Sequence, residues 1–188
     1  IKPLTVYAPG FEQGTLTPAT VIKDLPVKYE GGAWPKNDNR TYSYSRTIFK
    51  GIEDSVNAVA ANTLKKIGTN YGYEFAKESF GLSTLVEEDM QLSSLALGAQ
   101  YYGVTVREMA NAFATFANDG VYRQGRTWTK VYDSKGNVVL ENVQESREIL
   151  SEKTVNYTNY CLTNAVSKGT GGGANFASGY VAGKTGTT

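Results

Sequence analysis

The sequence predicts a helix-rich α/β segment with a small amount of antiparallel sheet. Three observations carry that prediction. Apolar residues recur at three- and four-residue spacing through Ile48, Phe49, Ile52, Val56, Val59, Ala60, Leu64 and Ile67. Thr105-Val106-Arg107-Glu108 has the form of a capping box and opens a second apolar face, Val106, Met109, Ala110, Phe113, Phe116 and Ala117. Trp128–Tyr132 and Val138–Leu140 flank Asp133-Ser134-Lys135-Gly136-Asn137, which reads as a β-hairpin.

In chain order, Ile1 to Ala8 reads as a helix broken by Pro9-Gly10. Phe11 to Asn39 holds Pro18, Pro26 and Pro35 among glycines and asparagines, so it is expected to be irregular, with short strands at Thr20–Ile22 and Val27–Tyr29. The polar group Thr41-Tyr42-Ser43-Tyr44-Ser45 is expected to cap the helix that follows, and Lys65-Lys66 with Gly68 to end it. A break near Asp54–Asn57 would divide that helix in two. A short helix is expected over Tyr73 to Phe80, closed by Gly81, and Asn118-Asp119-Gly120 stops the capping-box helix. Ser151 caps a last helix to about Val166, after which the glycine-rich Lys168 to Gly173 leads into a strand toward Lys184. The chain starts as if inside a helix and stops as if inside a strand, so residues 1–188 are expected to be an internal segment of a larger domain, truncated at both ends.

Forty percent of the 188 residues are hydrophobic, enough for a sizeable core. Nineteen basic and eighteen acidic residues leave a charge of +1, which gives no general attraction to nucleic acid or an anionic membrane. The sequence has no histidine, which excludes a Ser-His-Asp triad, a Cys-His dyad and histidine-ligated metal within it. Its one cysteine, Cys161, excludes an internal disulfide and is expected to be a small buried apolar group.

Three places could carry chemistry. Lys184-Thr185-Gly186-Thr187 could present a cation, hydroxyls and free N–H groups to an anionic or carbonyl ligand, though the same string is also an ordinary turn. Ser55 and Asn57 could both face a cleft if the helix breaks there; on a continuous helix they are solvated surface. Lys2 could take a proton from a serine three residues before it, the pair then sharing one helix face. Pro3 suits such a first turn, which needs no internal N–H bonds.

Five strings occur in order: Ile1 to Pro9, Trp34-Pro35-Lys36-Asn37, Ser55-Val56-Asn57, Met109 to Asn118, and Lys184-Thr185-Gly186-Thr187-Thr188. Together they resemble the transpeptidase domain of class A, bifunctional penicillin-binding proteins, nearly end to end. The resemblance implies a penicillin-binding-protein/serine β-lactamase-like fold, here incomplete, with part of the central antiparallel sheet. It implies a peptidoglycan D,D-transpeptidase that cross-links stem peptides through a serine acyl-enzyme and is a target of β-lactam antibiotics. Lys2 matches the lysine of the family's Ser-x-x-Lys motif, whose serine would lie just before Ile1. Within the chain only threonines, such as Thr20, Thr47, Thr63 and Thr127, have that spacing to a lysine.

The resemblance also implies roles. Lys2 would be the general base, made neutral by burial and by the charge of Lys184; an ordinary lysine pKa is about 10.4. Ser55 would relay protons and Asn57 would bond the substrate backbone. Lys184, Thr185 and Thr187 would hold the terminal carboxylate, Gly186 would let a ligand approach, and the Thr187 N–H would belong to the oxyanion hole. No metal or organic cofactor is implied. The parent would carry an upstream glycosyltransferase domain, be anchored outside this chain, and face the extracytoplasmic side of a bacterial cell membrane. Three alternatives stand beside this reading. A serine β-lactamase would need a Glu-x-x-x-Asn pair, and the Glu87-Glu88-Asp89 group has Gln91 where the asparagine belongs. A class B penicillin-binding protein is less well matched by Met109 to Asn118. The third is an inert fragment without its nucleophile.

Overall fold

A helix can admit Pro9 if the turn before it widens, and that is how the chain begins. A computed structural model of the protein describes residues 1–176 and 179–186. Residues Pro3–Tyr7 form a π-helical turn in which the Ala8 N–H reaches back to the Pro3 carbonyl, and α1 (Ala8–Glu12) follows without interruption. Pro9 falls in the first turn of α1, where its missing N–H is not needed. The expected break at Pro9-Gly10 therefore does not occur. Gly10 serves packing instead: a Cβ there would strike Leu16 and Ile67.

The first sheet pairs β1 (Val21–Asp24) with β2 (Tyr44–Thr47), antiparallel, Val21 opposite Thr47. The expected strand at Thr20–Ile22 is thus shifted by a residue or two, and Val27–Tyr29 gives only an isolated Lys28–Trp34 bridge. Because Tyr44 to Thr47 is strand, the cap of α2 (Ile48–Glu53) is not the 41–45 group but Thr47, whose Oγ1 accepts the Lys50 N–H. Next comes α3 (Asn57–Ile67), ended by Gly68, after a break at the place the sequence suggested. Ala58, Val59, Ala60, Ala61, Thr63 and Leu64 are fully buried, so α3 runs through the middle of the core. Its alanines let the opening turn and α5 (Leu92–Leu97) pack closely on it.

The helix expected at Tyr73 starts earlier, as α4 (Thr69–Glu74), and finishes as a π-helical turn over Phe75–Ser79. The capping-box helix α6 (Val106–Ala117) forms as read, with Thr105 and Glu108 bonding reciprocally. It stops at Gly120, whose φ of +85° only glycine adopts without strain. Its Phe113 and Phe116 join Phe80 and Phe75 in a run of edge-on aromatic contacts. The strand β3 (Val121–Arg123) pairs with β6 (Ser146–Glu148), and between them stands the expected hairpin, β4 (Lys130–Tyr132) with β5 (Val138–Glu141). Finally α7 (Glu152–Ser167), capped by Ser151, packs against α1 and α2, and Cys161 is buried in it.

The strand expected toward Lys184 is not formed among the described residues. A strand is defined by a neighbour, and residues 179–186 have no ladder partner here. They are instead laid against α7, where the Gly183 N–H reaches the Leu162 carbonyl at 3.3 Å.

One glycine ties this core to the opening turn. A Cβ on Gly72 would lie 2.5 Å from the Thr5 carbonyl oxygen and 2.7 Å from Leu64 Cδ1. The expected outcome of Gly72→Ala is a loss of about 1–3 kcal/mol by overpacking. Thermal unfolding measures it, the midpoint falling about 2–4 °C per kcal/mol for a chain of this size.

Candidate active site

Ser55 and Asn57 reach one cleft because the chain between α2 and α3 breaks sharply. Ser55 adopts a left-handed φ of +56°, and Val56, extended, turns its side chain into the core. A non-glycine residue held there costs about 1–3 kcal/mol, so the surroundings must fix it. They do: the Val56 N–H bonds the Gly51 carbonyl at 2.9 Å and the Ser55 N–H bonds that of Ile52 at 3.2 Å. Val59 fills the space beside Gly51, where a Cβ would be 2.6 Å from it.

Lys2 opens the π-helical turn. That turn is tethered to α5 by the Thr5 hydroxyl, which donates to the Leu95 carbonyl at 2.6 Å. From there the Lys2 Nζ donates to Asn57 Oδ1 at 2.6 Å and to the Ser55 carbonyl at 3.0 Å. The other end of the Asn57 amide donates to the Lys36 carbonyl at 2.9 Å. Both ends of this side chain are thus occupied by protein. The Ser55 hydroxyl faces the second lysine: Lys184 Nζ donates to Ser55 Oγ at 2.7 Å, to Thr185 Oγ1 at 3.2 Å and to the Thr185 carbonyl at 3.3 Å.

A supporting layer stands behind these groups. Buried Asn37 accepts the Ala58 N–H at 3.0 Å through its Oδ1, satisfying a free donor at the start of α3. Its Nδ2 donates to Asp24 Oδ1 and to the Thr41 carbonyl, both at 2.8 Å. The fully buried Asp24 carboxylate also receives the Ser43 N–H and Arg46 Nε at 2.9 and 3.0 Å. Sequence reading matched Trp34 to Asn37 as a string but missed this work. Its only signal was an asparagine two residues after a proline in an irregular stretch.

The cleft has a volume of about 720 Å³. Lys2, Ser55, Asn57, Lys184, Thr185 and Gly186 all line it, so the structure brings together six of the seven residues singled out from the sequence. The seventh, Thr187, and the backbone N–H expected to serve an oxyanion hole lie outside the described residues. Sequence reading missed other lining residues, among them Asp38, Asp54, Gln100 and Thr170, the last hidden in a glycine-rich string. A second depression, of about 310 Å³ around Arg107 and Arg126, holds none of these groups.

Burial, and then the charge of Lys184, pushes the Lys2 ammonium down from 10.5 to about 8. Burial also pushes Lys184 down to about 8. At pH 7 a group of pKa about 8 is neutral about one time in ten, against less than one in a thousand for an ordinary lysine. Counting donors separates the two. A neutral amine has two N–H bonds and one lone pair, and among the described residues Lys2 has two protein acceptors. An ammonium has three N–H bonds, and Lys184 has three acceptors. The site can therefore hold an amine base and a fixed cation side by side, with a serine hydroxyl on the cation.

A family model described as "Penicillin binding protein transpeptidase domain" matches residues 1–188. Penicillin-binding protein 1A of Clostridium botulinum (strain Hall) is 36% identical over 197 aligned positions, covering 100% of this chain and 24% of that protein. The chain thus spans about a quarter of the length of the first relatives it matches. Among solved structures, the D,D-transpeptidase domain of a peptidoglycan glycosyltransferase from Eggerthella lenta superposes with a TM-score of 0.79 at 24% identity, over 98% of this chain and 52% of that one. An acyl-enzyme complex of penicillin-binding protein A from M. tuberculosis gives 0.77 at 17% identity, over 98% and 45%. At these identities the structural likeness speaks for the fold: helix-rich, with small antiparallel sheets.

The two low lysine pKa values bear on stability, with a definite sign. Below pH 8 folded and unfolded chains both hold these protons, and the full cost of burying the ammonium groups applies. Between about 8 and 10.5 the unfolded chain binds more protons, so stability rises with pH; above 10.5 the contribution is level. Lys2→Met is expected to flatten part of the rise between about pH 8 and 10.5. Thermal melts of both proteins across pH 6–10 measure the difference.

Proposed function

We infer the function of this chain from its family: it belongs to the penicillin-binding-protein transpeptidase family. The reading is a peptidoglycan D,D-transpeptidase that cross-links stem peptides and is acylated by β-lactam antibiotics. The observation that carries it is the meeting of Lys2, Ser55, Asn57 and Lys184, from three distant parts of the chain, within hydrogen-bonding reach around one cleft.

In this reading the nucleophile is a serine three residues before Lys2, as the Ser-x-x-Lys motif requires. Lys2, neutral and held by Asn57 and the Ser55 carbonyl, accepts the serine proton through its free lone pair. The serine oxygen bonds to the carbonyl carbon of a D-alanyl-D-alanine stem. As the tetrahedral intermediate collapses, the C–N bond breaks and the leaving D-alanine nitrogen takes a proton from Ser55 Oγ, which lies on Lys184. The proton on Lys2 makes good that loss once the Ser55 hydroxyl turns from Lys184 toward the Lys2 Nζ, which here bonds the carbonyl of the same residue. A stem-peptide amine then attacks the acyl-enzyme, losing its proton along the same route in reverse and regenerating the serine. Lys184 and the hydroxyls of Thr185 and Thr187 hold the terminal carboxylate, and Gly186 leaves room for the peptide backbone. The Thr187 N–H, with that of the serine, would take the developing oxyanion.

The same reading puts a glycosyltransferase domain upstream in the full-length protein and the catalytic face outside the bacterial cell membrane, anchored by other parts of the protein. No helix among the described residues is long and apolar enough to cross a membrane. A serine β-lactamase is disfavoured by the placement of its would-be glutamate: Glu87–Asp89 form a 3₁₀ turn off the cleft. Asp89 in that turn is buried, accepting the Val86 and Tyr101 N–H groups. Sustained nitrocefin turnover by the full-length protein would reverse that judgement. The 188-residue chain by itself, without the serine, is expected to take no covalent label from penicillin.

Two outcomes test the assignment of Lys2. In the full-length protein, Lys2→Ala should slow labelling by a fluorescent penicillin at least about a hundredfold, the lower end of what a general base supplies. In the wild type the acylation rate should climb with pH through about 8 as Lys2 loses its proton. Unchanged labelling of the alanine variant would falsify the assignment.

A further inference from the structure

Thr170 lies 15 residues before Thr185 in sequence, and their hydroxyl oxygens are 2.9 Å apart. The glycines around Thr170 explain how it comes to be there. The Thr170 N–H donates to the Glu53 carbonyl at 3.1 Å, and the Gly171 N–H to the Ala165 carbonyl at 2.9 Å. A Cβ on Gly169 would strike the Glu53 carbonyl oxygen and lie 2.9 Å from that of Ala165, so only glycine brings this backbone so close. The Glu53 side chain, buried, is itself held by Lys50 and by Asn164 Nδ2 at 2.5 Å. Thr170 is therefore mounted on the end of α2, two residues ahead of Ser55.

Its effect on Thr185 follows from hydrogen-bond counting. A hydroxyl oxygen has two lone pairs and one proton. Lys184 can only donate, so it takes one lone pair of Thr185 Oγ1. If Thr170 donates as well, both lone pairs are filled, and the Thr185 proton is left to point into the cleft. That arrangement suits a ligand oxygen that only accepts, above all a carboxylate. Without the Thr170 hydroxyl, Thr185 keeps a free acceptor and can turn away.

We propose that Thr170 is a positioning residue for carboxylate recognition: together with Lys184 it commits the Thr185 hydroxyl to donate to the terminal carboxylate of the bound peptide or penicillin. This rests on the transpeptidase reading and adds to it a residue outside the family strings quoted from the sequence.

The test uses the full-length protein and two thioester acyl donors that differ only in ending in a carboxylate or a carboxamide. The readout is the ratio of their second-order acylation rates. Thr170→Val keeps the side-chain shape and removes the hydroxyl; it should cut the preference for the carboxylate about tenfold, the scale of one hydrogen bond to a charged group. Thr170→Ser should restore the ratio to within about twofold of wild type. An unchanged ratio in Thr170→Val overturns the proposal even if both rates fall, because a merely structural role moves both donors together. Failure of serine to restore the ratio overturns it too. A wild-type protein acylated by neither donor overturns the transpeptidase reading and this proposal with it.

Discussion

The helix break at Ser55 is the constraint on which the site depends. Had α2 run straight into α3, residues 55 and 57 would point about 200° apart around one helix axis. The left-handed Ser55 and the extended Val56 convert that divergence into a shared direction. They also leave the Ser55 carbonyl free of helical bonding, and Lys2 takes it as one of its two acceptors. The hydroxyl of the same residue serves Lys184. Two lysines 182 positions apart in sequence are thus anchored on two polar groups of one strained residue.

Strain of this kind persists only where neighbours over-determine it. On one side stands the Arg46–Asp24–Asn37 series, which ends on the Ala58 N–H at the start of α3 and sets the Lys36 carbonyl against Asn57. On the other stands Glu53, whose side chain and carbonyl lock the end of α2 to the end of α7 and to Thr170. Asp24 is fully buried, and a buried carboxylate is tolerated only with several donors; it has three here. The polar groups that make the cleft and those that brace it are continuous, while the apolar core under α3 supplies the rigid floor.

How much of this was legible in the sequence depended on range. The capping box at Thr105, the stop at Gly120, the hairpin around Gly136 and the Ser151 cap are encoded within four or five residues, and they formed as read. The break at Ser55 showed as an interruption of helical spacing. The π-helical turn did not show, because Pro9 alone reads as a helix stop; the widened register that admits it is stabilised by packing onto Gly72. The six-residue α5 escaped because so short a helix exists through tertiary contacts rather than propensity. In the site, Lys2, Ser55, Asn57 and Lys184 were found by motif, whereas Asn37, Asp24 and Thr170 act across 13 to 21 positions and leave no periodic trace.

The remaining question is which lysine gives up its proton, since burial pushes both to about the same value. Two adjacent cations repel, so the first proton to leave relieves the charge on the other, and the pair loses one far more readily than two. Hydrogen-bond capacity decides the site of that loss. A neutral Lys184 would have to accept from the Ser55 or Thr185 hydroxyl, which turns that hydroxyl's proton away from any ligand. Deprotonating Lys2 leaves both its acceptors satisfied and turns the lone pair toward the cleft. In the transpeptidase reading the neutral form is Lys2, at the opening turn where that reading puts the base. Lys184 is then the charged partner, beside the hydroxyls that the same reading turns to a carboxylate. The difference between two chemically identical side chains lies in the kind of oxygen each one meets: carbonyl-type acceptors for Lys2, mostly hydroxyls for Lys184.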